Sequence, residues 1–176
     1  YGIDIASNMV PAVDTAIYSA VGTDTVSYGV SRSAQDTGNL GYKMAMDGGV
    51  TVSVEAARNT AAGGTDNTYG ITYTGIDGMT LAAGVGSTAT GGAAEVESKT
   101  YGVKYATGGF TFGLQMTDVE FEGATEDEDG VHMGVTYNVN DDFTVGYVRQ
   151  ETDFSGNSSD EEHSGFQASY SMGSIS

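Results

Sequence analysis

Few side chains here could do chemistry, and their spacing excludes most of it. The 176 residues include Cys 0 and His 2, so thiol nucleophiles, thiolate metal sites and disulfides are absent together. His132 and His163 share no zinc-binding spacing, and neither His-Glu-x-x-His nor Gly-x-Ser-x-Gly occurs to supply a metal-bound water or an exposed serine. Gly84-Val85-Gly86 lacks the third glycine of a phosphate-cradling loop. Asp127, Asp129 and Gly130 match part of an EF-hand loop, but the required twelfth-position Glu falls at Thr136. An EF hand is thereby rejected. Asp127 and Asp129 are left as a looser surface site for loosely bound Ca²⁺ or Mg²⁺, beside the plainer reading of a solvated acidic loop. No nucleophile has a base beside it, so no catalytic residue and no resident cofactor are expected.

Charge narrows the partners. Asp+Glu 24 against Lys+Arg 6 gives a formal net charge of -18. No basic patch can form to neutralise phosphates, so nucleic acid is not a partner. The hydrophobic fraction is 39%, below that of an ordinary globular domain. No stretch approaches the roughly 18 consecutive apolar residues of a membrane helix. A membrane-spanning form of this chain would have to cross as strands.

The elements that position these residues are legible from residue 39 onward. Runs of period-two alternation cover about 39–46, 49–58, 67–74, 79–86, 97–106, 109–118, 130–138, 142–151 and 162–171, and a tenth begins near Ser174. Each has the reach of a tilted membrane strand. Brief connections rich in residues that accept positive φ (Asp47-Gly48, Gly75 to Gly78, Thr107-Gly108, Val139 to Asp141, Met172-Gly173) alternate with longer polar segments at 59–66, 87–96, 119–129 and 152–161. Short turn, long loop, short turn is the meander of an outer-membrane barrel, with tight hairpins at the periplasmic rim.

One face of each run is apolar, as in Tyr101, Val103, Tyr105 and Phe110, Phe112, Leu114, Met116; the other is small and polar, as in Gly102, Lys104, Thr111, Gly113. Alternation alone fits a soluble sandwich as well. The aromatic positions favour the barrel. Tyr73, Tyr105, Phe110, Tyr137, Phe143 and Tyr170 share the apolar face beside the short turns, where an interfacial girdle belongs. Parity places Lys43, Glu55, Lys104, Gln115, His132 and Gln167 on the polar face, as lumen-lining residues of a pore or as ordinary wall residues without effect on selectivity. Glu55 and Glu151 fall near loop ends, where a carboxylate costs little. Arg149 has the parity of Tyr147 near the outer rim, in reach of lipopolysaccharide phosphate or simply snorkelling. Residues 1–38, with the only proline at Pro11, read as two strands or one inserted loop; the polar stretch 33–38 leading into Asn39 favours the loop.

Three stretches carry a family resemblance. Asn39-Leu40-Gly41-Tyr42-Lys43-Met44-Ala45-Met46-Asp47-Gly48-Gly49, Tyr105-Ala106-Thr107-Gly108-Gly109-Phe110-Thr111-Phe112-Gly113 and Asp142-Phe143-Thr144-Val145-Gly146-Tyr147 resemble the Gram-negative general porins, especially the alphaproteobacterial type. The resemblance implies an all-β, antiparallel up-and-down transmembrane β-barrel of about 16 strands, a homotrimer in the bacterial outer membrane, and a third loop that folds inward to constrict the pore. Residues 1–176 would be one incomplete barrel domain, 1–38 holding the constriction loop and 39–176 running from the sixth strand to the start of the fifteenth. Family members end in a terminal Phe; this chain ends at Ser176, so both barrel ends are expected to lie outside it. Lipid and lipopolysaccharide would be its surroundings, and small hydrophilic solutes and ions its cargo; the acidic loops, focusing positive ions, add the expectation of a modest cation preference. Two alternatives stand beside this reading. One is a small structural or adhesive barrel without an open pore, and the other a secreted acidic β-rich surface protein.

Overall fold

The computed structural model describes residues 4–5, 9, 30–31, 39–59, 63–91, 94–123, 126–156 and 158–171. Two short strands, β1 (Asp4–Ile5) and β2 (Val30–Ser31), pair as an antiparallel ribbon. From Asn39 onward come β3 (Asn39–Met46), β4 (Val50–Asn59), β5 (Gly64–Tyr73), β6 (Met79–Gly91), β7 (Ala94–Thr107), β8 (Phe110–Phe121), β9 (Glu128–Asn138), β10 (Phe143–Phe154) and β11 (Glu161–Tyr170). These make one 9-stranded sheet in which spatial order is chain order and every pair is antiparallel. The meander, its faces and its hairpins are as the alternation predicts.

Glycine closes the short hairpins because their backbone enters the left-handed region. Gly48, Gly49, Gly78 and Gly108 have φ of 85, 84, 71 and 57°, which a side chain would strain. The same end is knitted together by hydrogen bonds between neighbouring hairpins. Amides of Thr74, Ala106, Asn138 and Ser171 donate to the carbonyls of Gly49, Gly78, Gly109 and Asp142, each at 2.8 Å.

The opposite end differs from expectation. Strands β6 and β7 run to Gly91 and from Ala94, so most of the segment 87–96 is ladder rather than loop; β8, β9, β10 and β11 likewise continue past the apolar runs. Ladder hydrogen bonds do not need apolar side chains, and the outward residues simply become polar once the strand leaves the apolar layer. Alternation of hydrophobicity therefore stops several residues before the strand does. The tenth run near Ser174, and all of residues 1–38 except 4–5, 9 and 30–31, where two strands or one constricting loop are expected, lie outside the described residues.

Directly opposed residues trace the tilt. One row runs Lys43, Ser53, Gly70, Gly84, Thr100, Thr117, Gly130, Thr152, Glu161. It starts near the short-turn end of β3 and finishes at the far end of β11, whose span is Glu161–Tyr170. That stagger is what strands tilted to a barrel axis require.

Burial is inverted relative to a water-soluble protein. Leu40, Tyr42, Tyr69, Tyr101, Phe112, Met116, Phe166 and Tyr170 are exposed, whereas the largest fully buried side chains include His132, Gln115, Gln150, Thr100 and Thr152. In water each exposed large apolar side chain would forgo about 1.5–3 kcal/mol of burial. A face built this way is stable only against hydrocarbon.

Candidate functional site

The occluded polar face is the site. Gln115, His132, Gln150 and His163 stand directly opposite one another on β8, β9, β10 and β11, and the row continues through Gly102 and Ala82 on β7 and β6. Gln115 Nε2 donates to Thr100 Oγ1 at 3.4 Å and Thr117 Oγ1 at 3.5 Å, and Thr100 Oγ1 donates to the Met116 carbonyl at 3.2 Å. The Gln115 amide and the threonine hydroxyls beside it thus give one another partners inside the wall. Beside them the His163 ring lies 3.4 Å from the Glu161 carboxylate.

Of the wall residues named from sequence, Lys43, Glu55, Lys104, Gln115, His132 and Gln167 all lie in rows of this face. Lys43 opposes Ser53 on the exposed strand β3, Glu55 opposes Thr68, Lys104 opposes Gly113, and Gln167 opposes Gly146. Glu55 needs a correction: it is 2% exposed, so its carboxylate is not at a cheaply solvated loop end. Sequence parity also contains Thr100, Thr117, Gln150, Thr152 and Asp66, buried on the same face; the first three lie in runs that alternation covers, whereas Asp66 and Thr152 fall in the polar segments 59–66 and 152–161 that read as loop. Met9 is a different case. It is buried with no alternation around it to announce its position.

On the outer face the girdle residues are arranged by the turns. Phe110 and Tyr137 stack with centroids 4.3 Å apart, and Phe143 and Tyr170 pair at 6.4 Å. A Cβ on Gly109 would lie 3.0 Å from the Tyr137 ring, and one on Gly75 2.6 Å from the Tyr73 ring. These rings therefore rest on the glycines of the short turns, while Tyr105 reaches toward Gly78, its ring 3.7 Å from where a Cβ would stand.

Toward the long-loop end the outer face changes abruptly from apolar to charged. Met116 is followed outward by Asp118 and Glu120, Tyr101 by Lys99 and Glu97, and Tyr147 by Arg149 and Glu151. Lys99 pairs with Glu120 and, at 3.6 Å, with Asp118. Arg149, expected to be open to lipopolysaccharide or to snorkel, is engaged by Glu151 and by Glu162 at 3.2 Å. Asp127 accepts the Phe121 amide at 2.9 Å and its own amide donates to Ser155 Oγ at 2.9 Å, so it ties the 122–127 connection to its neighbour. Asp129 opposes Asp118 and Asp153. Among the described residues no three His, Asp or Glu side chains are grouped to hold a metal ion.

A single sheet with a lipid-compatible outside, a polar inside, an aromatic rim and staggered antiparallel strands is the wall of a transmembrane β-barrel. The model of the Gram-negative porin family matches residues 3–175. The chain belongs to that family of channels, and its place is the bacterial outer membrane. No curated protein matches it.

Proposed function

We propose that the protein forms a water-filled channel for passive diffusion of small hydrophilic solutes and ions, without catalysis or cofactor, as a homotrimer surrounded by lipid and lipopolysaccharide. The inverted burial carries this reading: Gln115, His132 and Thr152 are enclosed while Tyr101, Met116 and Phe166 face outward. Across its apolar band such a wall keeps its polar chemistry on the inside, where water and solutes would pass.

Cation preference follows from the inner charges. Among the described residues, Glu55, Asp66, Glu128 and Glu161 share the inner face with Lys43 and Lys104. A carboxylate excess inside a low-dielectric wall raises the local cation concentration. The remaining acidic residues of the loop end add to the same field. In planar bilayers the full-length protein should give stable conductance steps, with a reversal potential of cation-selective sign under a KCl gradient. Absence of stable steps would overturn the channel reading, and an anion-selective sign would overturn the charge argument alone.

A further inference from the structure

The charges of the inner face are sorted by height. Among the described residues, its lysines and carboxylates are Lys43, Lys104, Glu55, Asp66, Glu128 and Glu161. Lys43 stands three residues from Met46, where β3 meets its short turn, and Lys104 three from Thr107, where β7 meets its own. The carboxylates all stand farther from that rim. Glu55 is five residues from Val50, Asp66 seven from Tyr73, Glu161 nine from Tyr170 and Glu128 ten from Asn138. At about 3.3 Å per residue the lysines lie about 10 Å along their strands and the carboxylates about 16 to 33 Å. Neighbouring hairpins are bonded to one another at the short-turn end, so these heights are counted from a shared rim.

The outer face is arranged otherwise. There Lys99 lies against Asp118 and Glu120, and Arg149 against Glu151 and Glu162, so the two signs meet at one level. On the inner face they occupy successive levels, positive near the short turns and negative toward the long connections.

We propose that this order makes the open channel rectify, passing more current at a given voltage when the long-connection side is positive. The inference rests on the channel reading and adds a direction to it. Cations gather beside the carboxylates and anions beside the lysines. A field that drives cations in past the carboxylates and anions in past the lysines brings both toward the middle of the wall, where carriers accumulate and conductance rises. The opposite field makes each ion enter through the region that repels it, and the middle is depleted. One unit charge about 10 Å from an ion in water changes its local concentration about twofold, so a forward-to-reverse current ratio of about two is expected in dilute salt. At about 1 M salt the Debye length falls to about 3 Å and the ratio should approach one.

The test is current against voltage for full-length protein in planar bilayers, taken on single open levels so that closures do not contribute. The chain has no cysteine, and Ile76, exposed in the short turn between β5 and β6, offers a mark for orientation. Streptavidin should lower the current of biotinylated Ile76→Cys only from the chamber facing that turn. With orientation known, the ratio should be about two at about 0.1 M KCl, larger with the long-connection side positive, and near one at about 1 M. Lys43→Gln with Lys104→Gln, and separately Glu128→Gln with Glu161→Gln, should each at least halve the excess of the low-salt ratio over one, with heat-modifiable gel migration as the check on folding. Stable steps carrying equal current at both polarities in dilute salt, a ratio of the opposite sense, or one that neither folded variant alters would overturn the inference and leave the channel reading standing. Absence of stable steps would overturn the channel reading, and rectification with it.

Discussion

Leu114→Arg separates lipid from water on the apolar face. Leu114 faces outward on β8, directly opposite Val103 and Met133, and lies midway between girdle residue Phe110 and the first outward carboxylate, Asp118. From Phe110 to Asp118 the strand covers roughly 26 Å, so Leu114 sits near the centre of the apolar band. At the bilayer midplane an arginine on a barrel exterior costs about 2–4 kcal/mol. At 1.36 kcal/mol per tenfold, that is a loss of roughly 30- to 900-fold in the folding equilibrium. In water the same change at a half-exposed site would cost about 1 kcal/mol or less, since the arginine stem lies along apolar neighbours and its head stays solvated. The assay is urea-dependent folding into phosphatidylcholine vesicles, read by tyrosine fluorescence and gel mobility. Thr111→Arg is the paired control, three residues away and half-buried on the opposite face. It should fold within about 1 kcal/mol of the parent and shift the reversal potential toward anions. Equal costs at the two sites, or a larger one at Thr111, would refute the assignment of faces.

Further outcomes follow from the same geometry. Lys104→Gln removes an inner-face cation and should move the KCl reversal potential further toward cation selectivity without changing the urea midpoint. Cation preference itself should fade between 0.1 M and 1 M salt, because the Debye length contracts from about 10 Å to about 3 Å; a salt-independent ratio would point to size sieving instead. Gly78→Val places a branched side chain at φ 71° against the Ala106 carbonyl, and should cost about 1–3 kcal/mol of folding stability in the vesicle titration. Tyr137→Ala removes the stack on Phe110 and should cost at least the roughly 0.5–1.5 kcal/mol of an aromatic pair, read the same way.

What could be read from the sequence depended on whether hydrophobicity and backbone pairing coincide. Between Phe110 and Met116 they do, and strand, face and girdle all follow from alternation. Beyond Met116 they part. Asp118 still opposes Lys99 and Asp129, and Glu120 opposes Glu97, but polar side chains outside the apolar layer carry no alternation signal, so 119–129 reads as loop. Glu55 and Asp66 were obscured similarly, their burial depending on what faces the inner wall rather than on adjacent residues. Met9 lay beyond reach altogether, because its socket is the absence of a side chain at Gly102, more than ninety residues away in the chain.

The hydrogen bonds that stitch Gly49, Gly78, Gly109 and Asp142 to the ends of neighbouring strands give the sheet a common origin from which every register is counted. Errors of alignment would have to be made at that rim to persist. At the other end, where strands stop at unequal heights, segments can lengthen or shorten without re-indexing a single pair below them. The rim at that end is thereby free to diversify while the registers of the wall stay fixed.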